Sequence, residues 1–313
     1  MKVALAFLLD LFIGDPRYPF HPIRIMGKLA RRIESRFNTV GKQKLKGFFC
    51  AFFLYGITGT VCFALVSLLE KFSFGLIVEV ILIYTTIALH DLLKHGYRVY
   101  RLLKKGQLEK ARVELSYMVG RKTDDLDEKE MMRALIESLS ENLVDGVTAP
   151  LFYAVLFGLP GAFVYKMINT LDSLWGHKNE RFINFGYIAA KVDDLANYLP
   201  ARLTAPLIIF VGSFFSFRFK KGMRTLFRDG RKHPSPNSGL SEAAMAGILG
   251  VRLGGPNQYA GYISERPFVG NWERPIILSD ISKTFKICFL ASLTFLGVLV
   301  FAMETFNKFI FFK

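Results

Sequence analysis

The chain has 313 residues, of which 51% are hydrophobic and 21% are charged, with 31 Phe, 12 Tyr and a net charge of +15. This composition excludes a disordered chain, and a compact water-soluble fold would have too few polar residues to cover its surface. We therefore predict an integral membrane protein.

Three apolar runs have the length and composition of membrane-spanning helices. Residues 47–69 contain no charged side chain, and residues 74–93 carry only three charged or histidine side chains. Only four residues separate these two runs, which predicts a tight helical hairpin. Residues 285–303 form the third run. Each run is long enough to cross a hydrocarbon core of about 30 Å.

Two further apolar runs contain residues that interrupt helices. Residues 146–168 include the sequence GLPG, and residues 199–217 include two prolines. Non-helical backbone persists at membrane depth only where it is buried in protein or lines a wet cavity. Two interpretations stay open: proline-kinked spans, or broken or re-entrant segments that form a site.

The predicted fold class is therefore all-α, a polytopic membrane protein with four or five embedded helical segments in a single domain over 1–313. The polar segments between these runs are predicted to be loops that form the site; they are 10–46, 94–145, 169–198 and 218–284.

Basic residues are concentrated in three blocks that flank apolar runs, at 28–46, 94–112 and 218–232. The positive-inside rule places such blocks in the cytoplasm against anionic head groups, which accounts for the net charge without nucleic-acid binding. If both interrupted runs cross the membrane, the loop 169–198 lies outside. If either run is re-entrant, this loop joins the cytoplasmic ones.

A first group of acidic residues recurs every four positions. Arg133, Glu137, Glu141 and Asp145 fall along one helix face, with Asn142 beside them. A solvated face with one Arg133–Glu137 pair is the simple explanation, and for Glu137 it is as good as a functional one. Acids that adjoin an apolar run are costly, so we favour function for Glu141, Asn142 and Asp145.

A second group lies in the polar segment that follows. Asp193 and Asn197 are one helical turn apart, Asp194 is adjacent, and Arg202 follows. Paired carboxylates with an amide oxygen suit Mg²⁺, which takes one or two carboxylates and substrate phosphates. The alternatives are a helix cap or an ion pair with Arg202.

Two clusters rich in Pro and Gly, at 14–24 and 229–239, predict turns. Ser241 is predicted to cap a helix whose free N–H groups, together with Lys232, His233, Ser235 and Asn237, would bind phosphate or carboxylate. His21 and His233 are candidate bases or anion donors, although a lone histidine is more often simply hydrogen-bonded. The standard P-loop, dinucleotide, hydrolase and zincin motifs are absent from the sequence.

Long stretches of the chain resemble the adenosylcobinamide-phosphate synthase family of cobalamin biosynthesis, integral membrane proteins known as CbiB or CobD. The similarity covers DLFIGDPRYPFHPIRIMG at 10–27, LSYMVGRKTDDL at 115–126, FGYIAAKVDDLANYLPARLTA at 185–205 and DGRKHPSPNSGLSEAAMAGILGVRLGG at 229–255, together with 137–179. The sequence departs from the family's usual pattern at Lys122, at Ser140 and at Leu240–Ser241.

The resemblance implies a ligase that uses ATP and Mg²⁺ to attach (R)-1-aminopropan-2-ol phosphate, or aminopropanol, to a free propionate carboxyl of the corrinoid adenosylcobyric acid. It implies a multi-pass protein of the cell membrane whose site faces the cytoplasm, and it leaves association with other membrane-bound pathway enzymes open. A transporter or a scaffold without ligase activity is the alternative. The residues expected in the site are Asp172, His233, Glu141 and Arg202 for catalysis, Asp15, His21, Arg24, Arg121, Asn142, Lys232, Ser235, Asn237 and Glu242 for substrate and phosphate, and Asp145, Asp193, Asp194 and Asn197 for the metal.

Overall fold

The computed structural model describes residues 1–16, 18–216, 218–259 and 262–311. Its helices are α1 (Lys2–Ile13), α2 (Pro22–Phe37), α3 (Gln43–Leu69), α4 (Gly75–Tyr84), α5 (Leu89–Lys104), α6 (Leu108–Ser116), α7 (Glu128–Leu143), α8 (Ala149–Trp175), α9 (Tyr187–Ala196), α10 (Tyr198–Ser216), α11 (Phe219–Asp229), α12 (Ser238–Leu249) and α13 (Leu278–Phe311). Four short strands form two antiparallel pairs: β1 (Leu253–Gly254) with β4 (Phe268–Val269), and β2 (Asn257–Tyr259) with β3 (Tyr262–Ser264).

The all-α polytopic prediction is confirmed. In the described part of the chain, five helical stretches are long and apolar enough to cross a membrane: Gln43–Leu69, Gly75–Lys104, Glu128–Trp175, Tyr198–Ser216 and Leu278–Phe306. Each of these stretches overlaps one of the five apolar runs recognised in the sequence. The chain is thus a multi-pass membrane protein, because helices of this length and hydropathy satisfy their backbone groups internally in lipid.

The second predicted span is not one continuous α-helix. Residues 85–88 separate α4 from α5. The hydroxyl of Thr85 donates to the carbonyl of Leu82 at 2.7 Å, and that of Thr86 donates to the carbonyl of Ile83 at 2.7 Å. Threonine hydroxyls that bond the backbone in this way offer an alternative to helical hydrogen bonds, and the apolar run gave no sign of the break.

The two runs with helix-breaking residues behave differently. In α8, Gly158 has φ 63° and ψ −150°, so the predicted interruption of 146–168 is confirmed. A π-helix at Val144–Thr148 precedes α8. Of the two interpretations of 199–217, the structure favours a proline-containing span over a broken segment, because α10 is one helix as far as Ser216. Pro200 lies in its first turn, where no N–H partner is needed, and Pro206 is a helix-interior proline of the kind that membrane helices tolerate.

Two further sequence predictions are corrected. The segments predicted as loops contain helices: 94–145 contains the end of α5 and all of α6 and α7, 10–46 contains α2, 169–198 contains α9, and 218–284 contains α11 and α12. Ser241 is not a cap but lies inside α12, fully buried, and Asn237 occupies the capping position. The helix begins earlier because the hydroxyl of Ser235 accepts hydrogen bonds from the N–H groups of Asn237 and Ser238 at 3.3 and 3.5 Å.

The chain divides into two compact units. Unit 1 comprises Met1–Ala88, Asp145–Asn197 and Val298–Lys313, and unit 2 comprises Leu89–Val144 and Tyr198–Gly297. In unit 1, α8 packs on α2, α3 and α9, and in unit 2, α12 packs on α7, α10 and α11.

Candidate functional site

Unit 1 holds a buried carboxylate on α9. Asp193 is 8% exposed, and the side-chain amide of Asn197, one turn later, donates to its Oδ2 at 3.0 Å. The hydroxyl of Tyr165 on α8 donates to Oδ1 of Asn197 at 2.9 Å, which fixes the orientation of that amide. Oδ1 of Asp193 is buried and makes no well-aligned hydrogen bond among the described residues, although the side chain of Asn169 also interacts with this carboxylate. This oxygen is thus available to a ligand.

Burial and neighbouring charges together determine the protonation state of this carboxylate. Burial raises the pKa of Asp193 to about 7, and the negative charge of Asp172 on α8 adds to the increase. Lys166, also on α8, interacts electrostatically with Asp145, Asp15 and Asp193. Because like charges this close oppose joint ionisation, a cation would stabilise the ionised pair of Asp172 and Asp193. We call Asp172, Asp193 and Asn197 the Asp193 site.

Glycines allow the close backbone approach that holds the Asp193 site together. A Cβ on Gly186, just before α9, would lie 1.7 Å from the carbonyl oxygen of Trp175 at the end of α8. A Cβ on Gly47 of α3 would lie 1.9 Å from the carbonyl oxygen of Phe185. Only residues without a Cβ fit these two positions, so the sequence around them fixes where α8 ends and where α9 begins.

The donor set of the Asp193 site fits Mg²⁺. No three His, Cys, Asp or Glu side chains among the described residues converge as a complete protein metal cage. Mg²⁺ does not require one, since it is usually held by one or two carboxylates, water and substrate phosphates. Oδ1 of Asp193 and the neighbouring Asp172 match that pattern. Of the other predicted ligands, Asp194 lies 3.8 Å from the ammonium of Lys191.

The residues predicted at 14–24 form a second part of unit 1. Nε2 of His21 lies 2.8 Å from Oδ1 of Asp15, and the hydroxyl of Tyr84 donates to the carbonyl of Gly14. Asp15 also interacts with Lys166, which connects this turn electrostatically to the Asp193 site. Arg24 is exposed on α2.

In unit 2, Glu137 is buried rather than solvated, which overturns the simple explanation of its helix face. Nη2 of Arg121 donates to its Oε2 at 2.7 Å, and the backbone N–H of Gly254 donates to its Oε1 at 2.8 Å. The expected Arg133 partner is more distant, at 3.8 Å. Nη1 of Arg121 also bonds Oδ1 of Asn257 on β2. This network ties α7 to the strands of unit 2.

A cavity of about 230 Å³ opens beside this network, and we call it the Arg121 cavity. It is lined by residues 118–121 and, among others, by Glu137, Ser138, Glu141, Asn257 and Arg266. Its lining therefore carries charges of both signs within one small volume.

Glu242 on α12 belongs to the same cluster. It is 1% exposed, and neither of its carboxylate oxygens has a hydrogen-bond partner among the described residues. The closest cation is Arg266, whose Nη1 lies 3.8 Å from Oε1. Burial raises the pKa of Glu242 well above its ordinary value, and the charges of Glu137 and Glu141 raise it further. A carboxyl in this position needs a donor that the described residues do not supply.

Glu141 and Asn142 have different surroundings although they are adjacent. The hydroxyl of Ser238, at the start of α12, donates to Oε1 of Glu141 at 2.8 Å, so this carboxylate joins α7 to α12 next to the Arg121 cavity. The side-chain amide of Asn142 donates to the backbone carbonyl of Ser138 at 2.9 Å. Asn142 thus bonds its own helix.

The turn at 230–237 is held by hydrogen bonds rather than open. The hydroxyl of Ser235 accepts hydrogen bonds from two backbone N–H groups at the start of α12. The backbone N–H of Ser235 donates to Nδ1 of His233 at 3.0 Å. Nη1 of Arg202 lies 3.3 Å from Oδ1 of Asn237, and its guanidinium stacks on Tyr198 at 3.4 Å. These contacts reduce the number of free donors that the sequence predicted for an anion.

Lys232 is engaged by a carboxylate that the sequence analysis did not select. Its ammonium lies 2.7 Å from Oδ1 of Asp229, which is buried and also bonds Arg228 and the N–H of Gly270. Burial alone would raise the pKa of Asp229, but its bonds to Arg228, Lys232 and Gly270 outweigh burial and hold that pKa well below its usual range. This ion cluster anchors the turn to the segment before α13.

The predicted site residues therefore separate into two groups, one in each unit. Unit 1 holds Asp15, His21, Arg24, Asp145, Asp172, Asp193, Asp194 and Asn197, and unit 2 holds Arg121, Glu141, Asn142, Arg202, Lys232, His233, Ser235, Asn237 and Glu242. Sequence reasoning missed Lys166, Asn257 and Arg266. Lys166 could have been found, because a base inside an apolar run is a functional signal. Asn257 and Arg266 lie in a polar segment that gives no such signal.

Comparison with known proteins identifies close relatives along the whole chain. A family model described as CobD/Cbib protein matches residues 3–288. "Cobalamin biosynthesis protein CobD" of Clostridium perfringens is 44% identical over 304 residues, which is 96% of each chain. "Cobalamin biosynthesis protein CobD" of Leptospira interrogans is 43% identical over 94% of this chain and 95% of its own. "Cobalamin biosynthesis protein CbiB" of Salmonella typhimurium is 38% identical over 95% of each chain. No solved structure matches.

Proposed function

Because this chain belongs to the CobD/CbiB family of cobalamin biosynthesis proteins, we propose that it is an ATP-dependent amide ligase of that pathway. It joins (R)-1-aminopropan-2-ol phosphate, or aminopropanol, to the free propionate carboxyl of adenosylcobyric acid. The observation that carries the proposal is the buried carboxylate of Asp193 beside the charge of Asp172, with no well-aligned hydrogen bond to Oδ1 of Asp193 among the described residues. Hard oxygen donors of this kind suit the Mg²⁺ complex of a nucleoside triphosphate.

The reaction balances as two displacements at one carboxyl group. An oxygen of the propionate attacks a phosphorus atom of ATP, and the bond from that phosphorus to the leaving group breaks. Loss of ADP gives an acyl phosphate, and loss of pyrophosphate gives an acyl adenylate. The lone pair of the amine nitrogen then attacks the activated carbonyl carbon, and the bond to the phosphate oxygen breaks. The nitrogen loses a proton to a base, for which Asp172 and His233 are the candidates.

Asp193, Asp172 and Asn197 would hold Mg²⁺, which when bound neutralises charge on the phosphates. Lys166 lies within electrostatic reach of Asp193 and would add positive charge on the same side of the site. Asn197 keeps its amide oriented through Tyr165, so the carboxylate geometry is set before any ligand arrives. This preorganisation is what electrostatic catalysis requires.

The same proposal includes location. The basic blocks at 28–46, 94–112 and 218–232 favour a cell-membrane protein whose site faces the cytoplasm, where ATP is present. The corrinoid and the amine are its small-molecule substrates, and the lipid bilayer surrounds its apolar helices.

The test is an amide-forming assay with purified, detergent-solubilised protein. Adenosylcobyric acid, aminopropanol phosphate and Mg²⁺-ATP are mixed with wild type, Asp193→Asn and the exposed control Glu180→Gln, and the corrinoid product is read by mass. We expect product that requires both ATP and the amine, and a loss of at least about a hundredfold in turnover for Asp193→Asn alone.

Two results would contradict this proposal. Product formed without ATP would remove the ligase assignment. Wild-type turnover in a folded Asp193→Asn protein would show that the Asp193 site holds no essential metal, and the transporter and scaffold alternatives would then be tested by corrinoid binding and uptake in the same preparation.

A further inference from the structure

We propose that unit 1 carries a binding site for one anionic phospholipid. Its acyl chain fills an apolar cavity lined by α2, α3, α4 and α8, and its head group meets Arg32 and Arg36 near the end of α2. We call this cavity the α2–α3 cavity. None of the residues that line it belongs to the Asp193 site or to the Arg121 cavity, so the lipid site does not depend on the ligase proposal.

The lining of the α2–α3 cavity selects an apolar occupant. The cavity holds about 350 Å³, which falls within the roughly 300–1,000 Å³ of ligand sites in proteins. None of the described residues that line it is charged, and Thr58 is the one among them with a hydroxyl group. A nucleotide, a corrinoid or an amino-alcohol phosphate would find almost no partners there for its polar groups, and burying such groups unpaired is costly.

The position of the cavity indicates where its occupant comes from. Thr58 stands midway along the apolar run 47–69 of α3, so the cavity lies at the depth of the hydrocarbon core. Four of its lining residues are exposed, Ile25 and Leu29 on α2 and Ile57 and Val61 on α3. The cavity therefore opens sideways between these two helices. Its walls lose packing contacts if it stays empty, and acyl chains are the apolar groups that a bilayer supplies there.

One face of α2 continues from the cavity to two arginines. Ile25, Leu29, Arg32 and Arg36 follow one another at intervals of four, three and four residues, which places them on one side of the helix. Both arginines are exposed, and their side chains have no hydrogen-bond or ion-pair partner among the described residues. Arg32 lies about 5 Å beyond Leu29 along the helix axis. An apolar groove followed by free guanidinium groups matches an acyl chain followed by a phosphate.

The turn between α2 and α3 adds positive charge at the same end. Residues 38–42 join the two helices, and the side-chain amide of Gln43 donates to Oδ1 of Asn38 at 3.2 Å. The block 28–46 carries seven bases against one acid, Glu34, which is buried and paired with Arg181 at 2.9 Å. This charge favours an anionic head group over a zwitterionic one. It also opposes symmetric docking of a second copy of the chain, which would bring an equally basic α2 to the same face.

Native mass spectrometry of the delipidated full-length protein tests the head-group contacts. The probes are dioleoyl phosphatidylglycerol, dioleoyl phosphatidylcholine and the short-chain dihexanoyl phosphatidylglycerol. Because each arginine contributes about fivefold, we expect the long-chain anionic lipid to bind at least about tenfold more tightly than the other two. Joint Arg32→Gln and Arg36→Gln substitutions should remove its advantage over phosphatidylcholine and leave phosphatidylcholine binding unchanged. The matched control is joint Lys104→Gln and Lys105→Gln, two exposed bases of unit 2 that do not line the cavity, which should change neither lipid.

Two native cysteines of α3 test the acyl-chain contacts in wild type. Cys50 and Cys62 are both free and buried, and only Cys62 lines the cavity. Reaction of each thiol with a lipophilic maleimide is followed by peptide mass. Dioleoyl phosphatidylglycerol at about ten times its dissociation constant should slow the labelling of Cys62 by about tenfold and leave that of Cys50 unchanged. Thr58→Phe, which fills the cavity, should weaken both long-chain lipids.

Three results would overturn the lipid site. Equal affinity of wild type for the anionic and the zwitterionic long-chain lipids would remove the role of the two arginines. Equal protection of Cys50 and Cys62 would show that the acyl chain lies outside the cavity, and this measurement stands whether or not Thr58→Phe folds. A dimer that excludes added lipid would show that a second copy of the chain covers this face instead.

Discussion

Replacing Arg121 by methionine should destabilise the protein far more than a surface substitution, and the pair that it forms with Glu137 shows why. Both side chains are nearly excluded from solvent, at 5% and 6% exposed, with 2.7 Å between Nη2 of Arg121 and Oε2 of Glu137. In the Arg121→Met variant, Glu137 keeps the N–H of Gly254 but loses its close cation.

The magnitude follows from the cost of a buried charge without its partner. Removing one member of a buried ion pair costs about 3–5 kcal/mol, whereas replacing both members by uncharged groups is often nearly neutral. The remaining bond from Gly254 places the single variant near the lower limit, at about 3 kcal/mol. Arg121→Met with Glu137→Gln should recover roughly 2 kcal/mol of this loss, because the glutamine can still accept from Gly254.

Buried thiols provide the assay. Cys50, Cys62 and Cys288 are free and buried, so a thiol-reactive dye reports unfolding in detergent as temperature rises. Cys288 lies 3.9 Å from the carbonyl oxygen of Leu139 on α7, the helix that carries Glu137. A double variant as unstable as Arg121→Met, or a single variant as stable as wild type, would refute the reasoning that an uncompensated Glu137 dominates the cost.

Three further variants test individual features. Because the pKa of Asp193 is raised to about 7, the free energy of unfolding of wild type falls as pH rises from about 4 to 7. Without divalent metal, the free energy of unfolding of Asp193→Asn should therefore be roughly 2–4 kcal/mol greater than that of wild type at pH 8 and equal to it near pH 4. A difference between the two proteins that does not depend on pH would contradict this. Gly186→Ala puts a Cβ 1.7 Å from the carbonyl oxygen of Trp175 and should lower the free energy of unfolding by about 2–4 kcal/mol. In the control Gly56→Ala, nothing lies within 4 Å of the added Cβ, so that variant should be neutral or stabilising in the same thermal assay. Equal effects of the two substitutions would refute the clash. Since the pKa of Asp229 is held low, Asp229→Asn should be less stable than wild type at pH 7, and this difference in stability should become smaller below about pH 4. Melting curves measured across this pH range test the prediction. A difference that stays constant with pH would show that the ion pairs of Asp229 contribute nothing.

The amino-acid sequence predicts the membrane architecture because hydrocarbon thickness imposes a length on each apolar run. Residues 47–69 and 285–303 fall inside α3 and α13, and the irregular residue Gly158 lies where GLPG predicts it. Proline alone was a weaker guide: Pro206 sits inside α10, because neighbouring contacts can replace the one hydrogen bond that it removes.

Long-range partners explain most of what the sequence did not reveal. The periodicity of α7 pairs Arg133 with Glu137, yet Arg121 and the N–H of Gly254 bind that carboxylate. Likewise, Ser235 rather than Ser241 bonds the first N–H groups of α12. Such partners are set by tertiary packing and leave no periodic pattern. The contact between the carboxylate of Asp193 and the amide of Asn197 was predictable because the two residues lie one turn apart on a single helical segment.

The order in which the chain builds its two units has a consequence for its biogenesis. The chain passes from one unit to the other after residues 88, 144, 197 and 297, so neither unit corresponds to one continuous stretch. During synthesis, the Asp193 site can form with the first 88 residues only after residues 145–197 have been made. Likewise, α7 can pack on α12 only after the segment 198–297 has followed 89–144. A ribosome that stalls near residue 150 would therefore release a product with both units incomplete, and no single cut could yield either unit as an independent fragment.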